Sequence, residues 1–318
     1  MRLEILGRTL RGQNLPEVVL ERVKKRWMFP EHVAGASDYS LLLEVANVDE
    51  GRWSLTEPRV LEGMTVPVEV RADQDGFFFK DECGLLECLH LGSRTQVRMD
   101  FAPGLSTLSP AFEDALHLSL VEGLRCSGLL SLHVAAVVLE GQTTVFSGPS
   151  GRGKSTTLLQ AIRAGGIPVA EDLIWFDPLS GLVYGWERVV RLLPASLKYL
   201  PPGVPAVGWP VTSDGKMNIP YSAFGSAPVQ RGGAPIHRFM VLERRPDQPS
   251  GLAPLSSREA ALAVWDSTGL PLARQAQQQI PGQIQSLLAR TTFSTLYLGS
   301  TPLPFGPLNA AVVGEAVP

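Results

Sequence analysis

The sequence predicts an α/β protein in two parts, a smaller α+β region over residues 1–110 and a mixed β-sheet domain over 111–318. Three observations carry this expectation. An apolar hairpin leads directly into a glycine-rich loop and a short helix between His133 and Gly166. The segments before residue 110 alternate apolar and polar residues as half-buried strands do. Apolar residues make up 44% of the 318 positions and charged residues 19%, enough to bury a core.

In chain order, Pro16–Phe29 carries Val18, Val19, Arg22, Val23 and Trp27 at helical spacing, with Asn14 as the expected N-cap and Pro30 as the stop. Arg22, Lys24, Lys25 and Arg26 form a basic cluster on that helix, the usual composition of a solvated face. Tyr39–Val48, Thr65–Arg71 and Phe77–Lys80 read as strands between Asp, Gly and Asn turns. FAPGLSTLSP at 101–110 breaks the pattern before a helix expected from Pro110 to about Gly123. His133–Leu139 and Thr143–Phe146 are β-branched runs joined by Glu140-Gly141-Gln142, a hairpin. A helix follows the glycine-rich loop and ends at Gly165-Gly166, and Ile167–Asp177 reads as one buried strand interrupted by two carboxylates. Met217 onward and Ile236–Arg245 complete the strands.

With 28 basic and 31 acidic residues the net charge is −3, so nothing in the composition calls for nucleic acid or an anionic membrane as partner. Cys83, Cys88 and Cys126 form no disulfide framework, and Cys83-x₄-Cys88-x-His90 lacks the fourth ligand of a zinc site. The first residues carry no apolar run of signal-peptide length, and no stretch reaches the roughly 20 apolar residues of a membrane span. A cytoplasmic protein is expected.

The chemistry concentrates in Gly148–Ser155, a full G-x-x-x-x-G-K-[ST] match with a strand before it and a helix after it. Gly148, Gly151 and Gly153 allow the tight backbone that turns successive N–H groups and a helix N-terminus toward phosphate oxygens. Pro149, Ser150 and Arg152 fill the loop and Thr156 follows it. Lys154 reaches the outer phosphates and the Ser155 hydroxyl is a ligand for Mg²⁺. Glu171 and Asp172 come one helix and one strand later, which returns them to the phosphate end of the sheet. Two adjacent carboxylates there divide into a metal ligand and a base for an attacking hydroxyl. His133 stands at the start of the strand before the loop, where it is either a core histidine or a group that tunes one of those carboxylates. The chain has no N-K-x-D guanine motif, and Leu179-Ser180-Gly181-Leu182 is misplaced and incomplete as a transporter signature.

Ser131, His133, Gly148, Ser150, Gly151, Gly153, Lys154, Ser155 and the Ala170-Glu171-Asp172 step together resemble the catalytic domain of HPr kinase/phosphorylase, whose phosphate site is in turn similar to that of phosphoenolpyruvate carboxykinase. The resemblance implies that the loop holds ATP, that Glu171 is the base acting on a serine hydroxyl, that His133 supports it, and that Asp172 and Ser155 lie at Mg²⁺. The chain departs from the family at Glu171, at His133-Val134, and by lacking the E-x-R-G-x-G segment tied to phosphorolysis. It looks more like the stand-alone relatives of peptide-maturation clusters, such as those of lasso peptides, which implies a serine of a peptide or small protein as acceptor. Asp214-Gly215-Lys216-Met217 fits this looser match and brings Lys216 toward phosphate or substrate. The resemblance also admits a homo-oligomer. The alternatives are a nucleotide-binding regulatory protein and a kinase of a small hydroxylated metabolite.

Overall fold

A computed structural model describes residues 1–26, 38–54, 56–61, 66–187, 189–212, 215–225, 233–301 and 303. The expected helix stop at Pro30, with Trp27 and Phe29, lies outside the described residues, as does Asp214. The chain is α/β with mixed sheets, in two compact units: Met1–Ser131 with 177–180 and 270–283, and Leu132–Phe176 with 181–269 and 284–318.

The first unit is built on an eight-stranded sheet of β1 (Arg2–Ile5), β2 (Arg8–Gln13), β3 (Ser40–Val45), β4 (Pro58–Leu61), β5 (Val68–Ala72), β6 (Gly76–Asp81), β7 (Gly84–Leu91) and β8 (Arg94–Phe101). Their order is β1-β2-β3-β8-β7-β6-β5-β4. Helix α1 (Glu17–Arg26) connects the parallel pair β2 and β3 and buries Val19 and Val23. Asn14 is not its cap: the helix begins at Glu17, two residues past the position Asn14 could cap, and Asn14 is a left-handed turn residue at φ 54°. Helix α2 (Pro110–Cys126) is capped by the Ser109 hydroxyl, which accepts from the Phe112 amide at 2.9 Å. Phe112, Leu116, Leu120 and Leu124 are buried, and α2 lies on β5 to β8. The helix expected to open the second domain therefore belongs to the first. The three cysteines are free and buried, and Cys88 contacts His90 at 3.9 Å as part of this core.

The second unit holds β10 (Ala135–Leu139), β11 (Gln142–Ser147), α3 (Lys154–Arg163), β12 (Ile167–Ala170), β13 (Ile174–Asp177) and β14 (Leu182–Gly185), and β9 (Leu130–Leu132) straddles the division between the units. A separate ribbon pairs β15 (Val189–Leu192) with β16 (Met217–Pro220). After these come β17 (Ala234–Arg244), β18 (Gly251–Pro254), α4 (Ser257–Thr268) and β19 (Thr292–Leu298), while most of α5 (Arg274–Leu288) belongs to the first unit. The nine-stranded sheet runs β12-β10-β11-β17-β14-β13-β9, with β19 also on β17 and β18 on β19.

The β10–β11 hairpin turns at Glu140 and Gly141, φ 52° and 76°, the paired left-handed residues of a two-residue turn. Helix α3 buries Leu158, Ala161 and Ile162 against Val137, Phe146, Met240 and Leu296. Such a layer makes Phe146→Ala worth about 3 to 5 kcal/mol in stability. The single strand expected over Ile167–Asp177 is two strands that are not sheet neighbours: β12 lies beside β10, and β13 beside β9 and β14. The chain leaves the sheet at Glu171-Asp172-Leu173. A continuous strand through this point would have driven one of two adjacent carboxylates into an apolar face. Among the described residues no helix is long and apolar enough to cross a membrane.

Candidate active site

Strand β10 is antiparallel to both β11 and β12, so β11 and β12 run the same way, and β17 and β19 are parallel to β11 and to each other. The carboxyl ends of four strands and the amino end of β10 thus share one edge of the second unit's sheet. Ligands of open α/β sheets bind at such an edge. The glycine-rich loop follows β11, Glu171 and Asp172 follow β12, His133 precedes β10, and Arg244 ends β17. Topology collects residues that are a hundred positions apart.

The loop has the backbone its glycines predict: φ is 150° at Gly148, 79° at Gly151 and 109° at Gly153, angles that strain any residue with a Cβ. Gly153 is the N-cap of α3 and brings no side-chain cap, so the first amides of the helix face the loop. Pro149, Ser150 and Arg152 form its exposed lip. The Lys154 side chain folds back over the loop and donates to the Gly148 carbonyl at 2.8 Å. Lys154 is buried. Burial holds its ammonium below the ordinary lysine range, Asp172 and Glu171 oppose that shift, and Lys216 adds to it.

Ser155, on the first turn of α3, donates its hydroxyl to Glu171 Oε1. Glu171 is buried and its carboxyl is pushed up to about 7, first by burial and then by the Asp172 charge; the Ser155 hydrogen bond, Arg191 and Lys216 act the other way. Asp172 is more open and sits between His133 Nε2 at 3.3 Å and an Arg191 terminal nitrogen at 3.5 Å. The imidazole lies below its ordinary range through partial burial and through Lys154, Lys216 and Arg191, with Asp172 pulling upward. Its Nε2 is positioned to hydrogen-bond with Asp172. Its backbone is fixed by a 2.7 Å bond from the His133 amide to the Ser267 carbonyl, at the end of α4.

Every sequence-predicted site residue lies at this edge, but the pairing differs from the expected one. His133, expected to support Glu171, touches Asp172, and Ser155, expected to share a metal with Asp172, is bonded to Glu171. The reason is geometric. Glu171 turns inward under α3, whereas Asp172, one residue on, turns outward to the start of β10. His133 itself is in the connection before β10 and not in the strand. Thr156 is a second-rank member, its hydroxyl 3.5 Å from that of Ser196.

Sequence reasoning missed Arg191 and Tyr221. Arg191 alternates with the buried Val190 and Leu192 in β15, which marks it as facing away from the apolar side; its signal is present but has no motif to point it at Asp172. Tyr221 is buried, and burial with the Glu187, Glu171 and Asp172 charges pushes its phenol well above the ordinary range. The Lys216 charge is felt by His133, Lys154 and Glu171.

The donor set fits a hard divalent cation. The Ser155 hydroxyl and the Glu171 carboxylate already touch, Asp172 is adjacent in sequence, and all are oxygen donors of the kind Mg²⁺ takes beside phosphates. Three cations, Lys154, Lys216 and Arg191, face two carboxylates, one of them raised toward neutrality. No protein-family model matches the chain, and no curated protein matches it.

Proposed function

We propose that the protein is an ATP-dependent, Mg²⁺-requiring kinase that transfers the γ-phosphoryl group to a serine hydroxyl of a peptide or small protein. The observation that carries this reading is the convergence at one sheet edge of a phosphate-binding loop with the Glu171–Asp172 pair and His133. The resemblance to HPr kinase and its stand-alone relatives supplies the acceptor class.

The side chains divide the work. The amides from Gly148 to Ser155 and Lys154 hold the phosphates and neutralise charge that builds on the leaving oxygen. Ser155 and Glu171 would hold Mg²⁺, which when bound supplies charge neutralisation across the outer phosphates. Glu171 is too enclosed, and too closely held by Ser155, to meet an acceptor. Asp172 is the more open carboxylate, so the role of base passes to it. The acceptor oxygen forms its bond to the γ-phosphorus as the bridging P–O bond breaks, and the hydroxyl proton passes to Asp172. His133 orients that carboxylate by hydrogen bonding, and Arg191 holds it from the other side at 3.5 Å. In a loose transition state the proton leaves late, so positioning contributes more than basicity.

Incubation with γ-labelled ATP and serine peptides encoded beside this chain tests the reading. Label on serine, lost in Asp172→Asn and Lys154→Ala, is the expected outcome. Nucleotide binding with no transfer to any such peptide would sink it, and transfer to a small alcohol alone would replace the peptide with a metabolite.

A further inference from the structure

The loop has a second wall. Strand β17 runs parallel to β11 with Ser147 opposite Val241, so the end of β17 lies alongside the glycine-rich loop. The Leu242 carbonyl comes within 3.5 Å of where a Cβ on Gly148 would be. Arg244, the last residue of β17, lays its guanidinium along the loop: Nε donates to the Arg152 carbonyl at 3.4 Å, and a terminal nitrogen lies 3.9 Å from the position of a Gly153 Cβ.

Its neighbour behaves differently. Arg245 donates to Glu243 at 3.0 Å and stacks 3.6 Å from the Tyr297 ring centre, a cation with structural partners. Among the described residues no carboxylate pairs with Arg244, which is exposed at the loop and held there by a carbonyl.

Strand order says which part of a ligand Arg244 meets. The acids leave β12, which is separated from β11 by β10, while β17 flanks β11 on the opposite side. A phosphate chain lying in the loop with its reactive end at Glu171 and Asp172 has its other end toward β17. We infer that Arg244 is a nucleotide-binding residue that grips the non-transferred phosphates, the part that departs as the nucleoside diphosphate. This rests on the nucleotide reading above and adds to it a specificity: the site recognises the leaving diphosphate by a fork-shaped cation independent of Lys154.

Calorimetric titration of Mg·ADP and Mg·ATP into the wild-type chain, Arg244→Ala and Arg244→Lys tests this. Arg244→Ala weakens both nucleotides by a similar factor, on the order of tenfold, and Arg244→Lys recovers part of the loss because charge returns without the fork. The same loss appears in the KM for ATP. Arg244 is exposed, so unchanged thermal midpoints confirm that the variants fold. Wild-type ADP affinity in Arg244→Ala overturns the inference, as does a loss confined to ATP, which would put Arg244 at the transferred phosphate. A wild-type chain that binds neither nucleotide sinks the nucleotide reading itself, and the inference with it.

Discussion

The two units handle buried charge in opposite ways. In the first, Glu122 is fully buried, accepts from the Leu272 and Ala273 amides at 2.9 and 3.1 Å, and pairs with Arg125 at 2.7 Å. Arg8, equally buried, donates to the Leu6 and Ser127 carbonyls and the Ser127 hydroxyl. Glu122 is neutralised by an ion pair and Arg8 is held by three hydrogen bonds, so each buried charged group has its donors and acceptors supplied by the fold itself. In the second, buried Lys154 bonds to a carbonyl and not to either nearby carboxylate, and buried Glu171 keeps a raised pKa beside Asp172. Perturbed charges of this kind cluster at functional sites, and the proposed nucleotide and metal would match them.

Substitution at the two most representative residues sharpens that contrast. Lys154→Ala removes the cation that would meet the outer phosphates and lowers Mg·ATP affinity by about a hundredfold, read by calorimetry, at little cost in stability. Glu122→Ala leaves Arg125 and two amides without their acceptor and destabilises the fold by about 3 kcal/mol in a denaturant titration. Its nucleotide affinity, measured where the chain is folded, stays at the wild-type value. Equal losses of stability in both variants would erase the distinction between the units.

The same contrast governs what the sequence makes legible. Gly148–Ser155 is readable because a glycine-rich loop of this kind is local: eight consecutive residues, three of them glycines at positive φ, with the strand and helix contiguous on either side. The hairpin turn at Glu140-Gly141 and the Ser109-Pro110 cap of α2 are local in the same sense. What stays hidden depends on long-range pairing. Strands β7 and β8 are not among the strands expected from the sequence, and β7 in particular is flanked by strands on both sides and does not alternate cleanly. Helix α2 was assignable as a helix but not to its unit, since its apolar side is satisfied by β5 to β8, which precede it. The partner of His133 was out of reach for the same reason. Residues 171 and 172 differ by one position, and which of them faces β10 is fixed by where the chain leaves β12.

The smallest effect tests the mismatch most directly, through pH. Folded Glu171 keeps its proton up to about 7, while the unfolded chain gives it up near the ordinary carboxyl value of about 4.3. Between those values the folded state binds more protons than the unfolded one, so this residue makes stability fall as pH rises, a loss complete above 7. Glu171→Gln keeps the oxygen that accepts from Ser155 but never ionises. Denaturant midpoints in chelator, taken at intervals from pH 5 to pH 8, then place the variant level with wild type at the acid end and above it at the alkaline end. Parallel profiles would mean that Glu171 ionises at its ordinary value and that the second unit stores no such mismatch. A variant gain that grows through pH 6 and 7 while its phosphotransfer is lost would show that the same buried carboxylate which weakens the fold is the one the reaction needs.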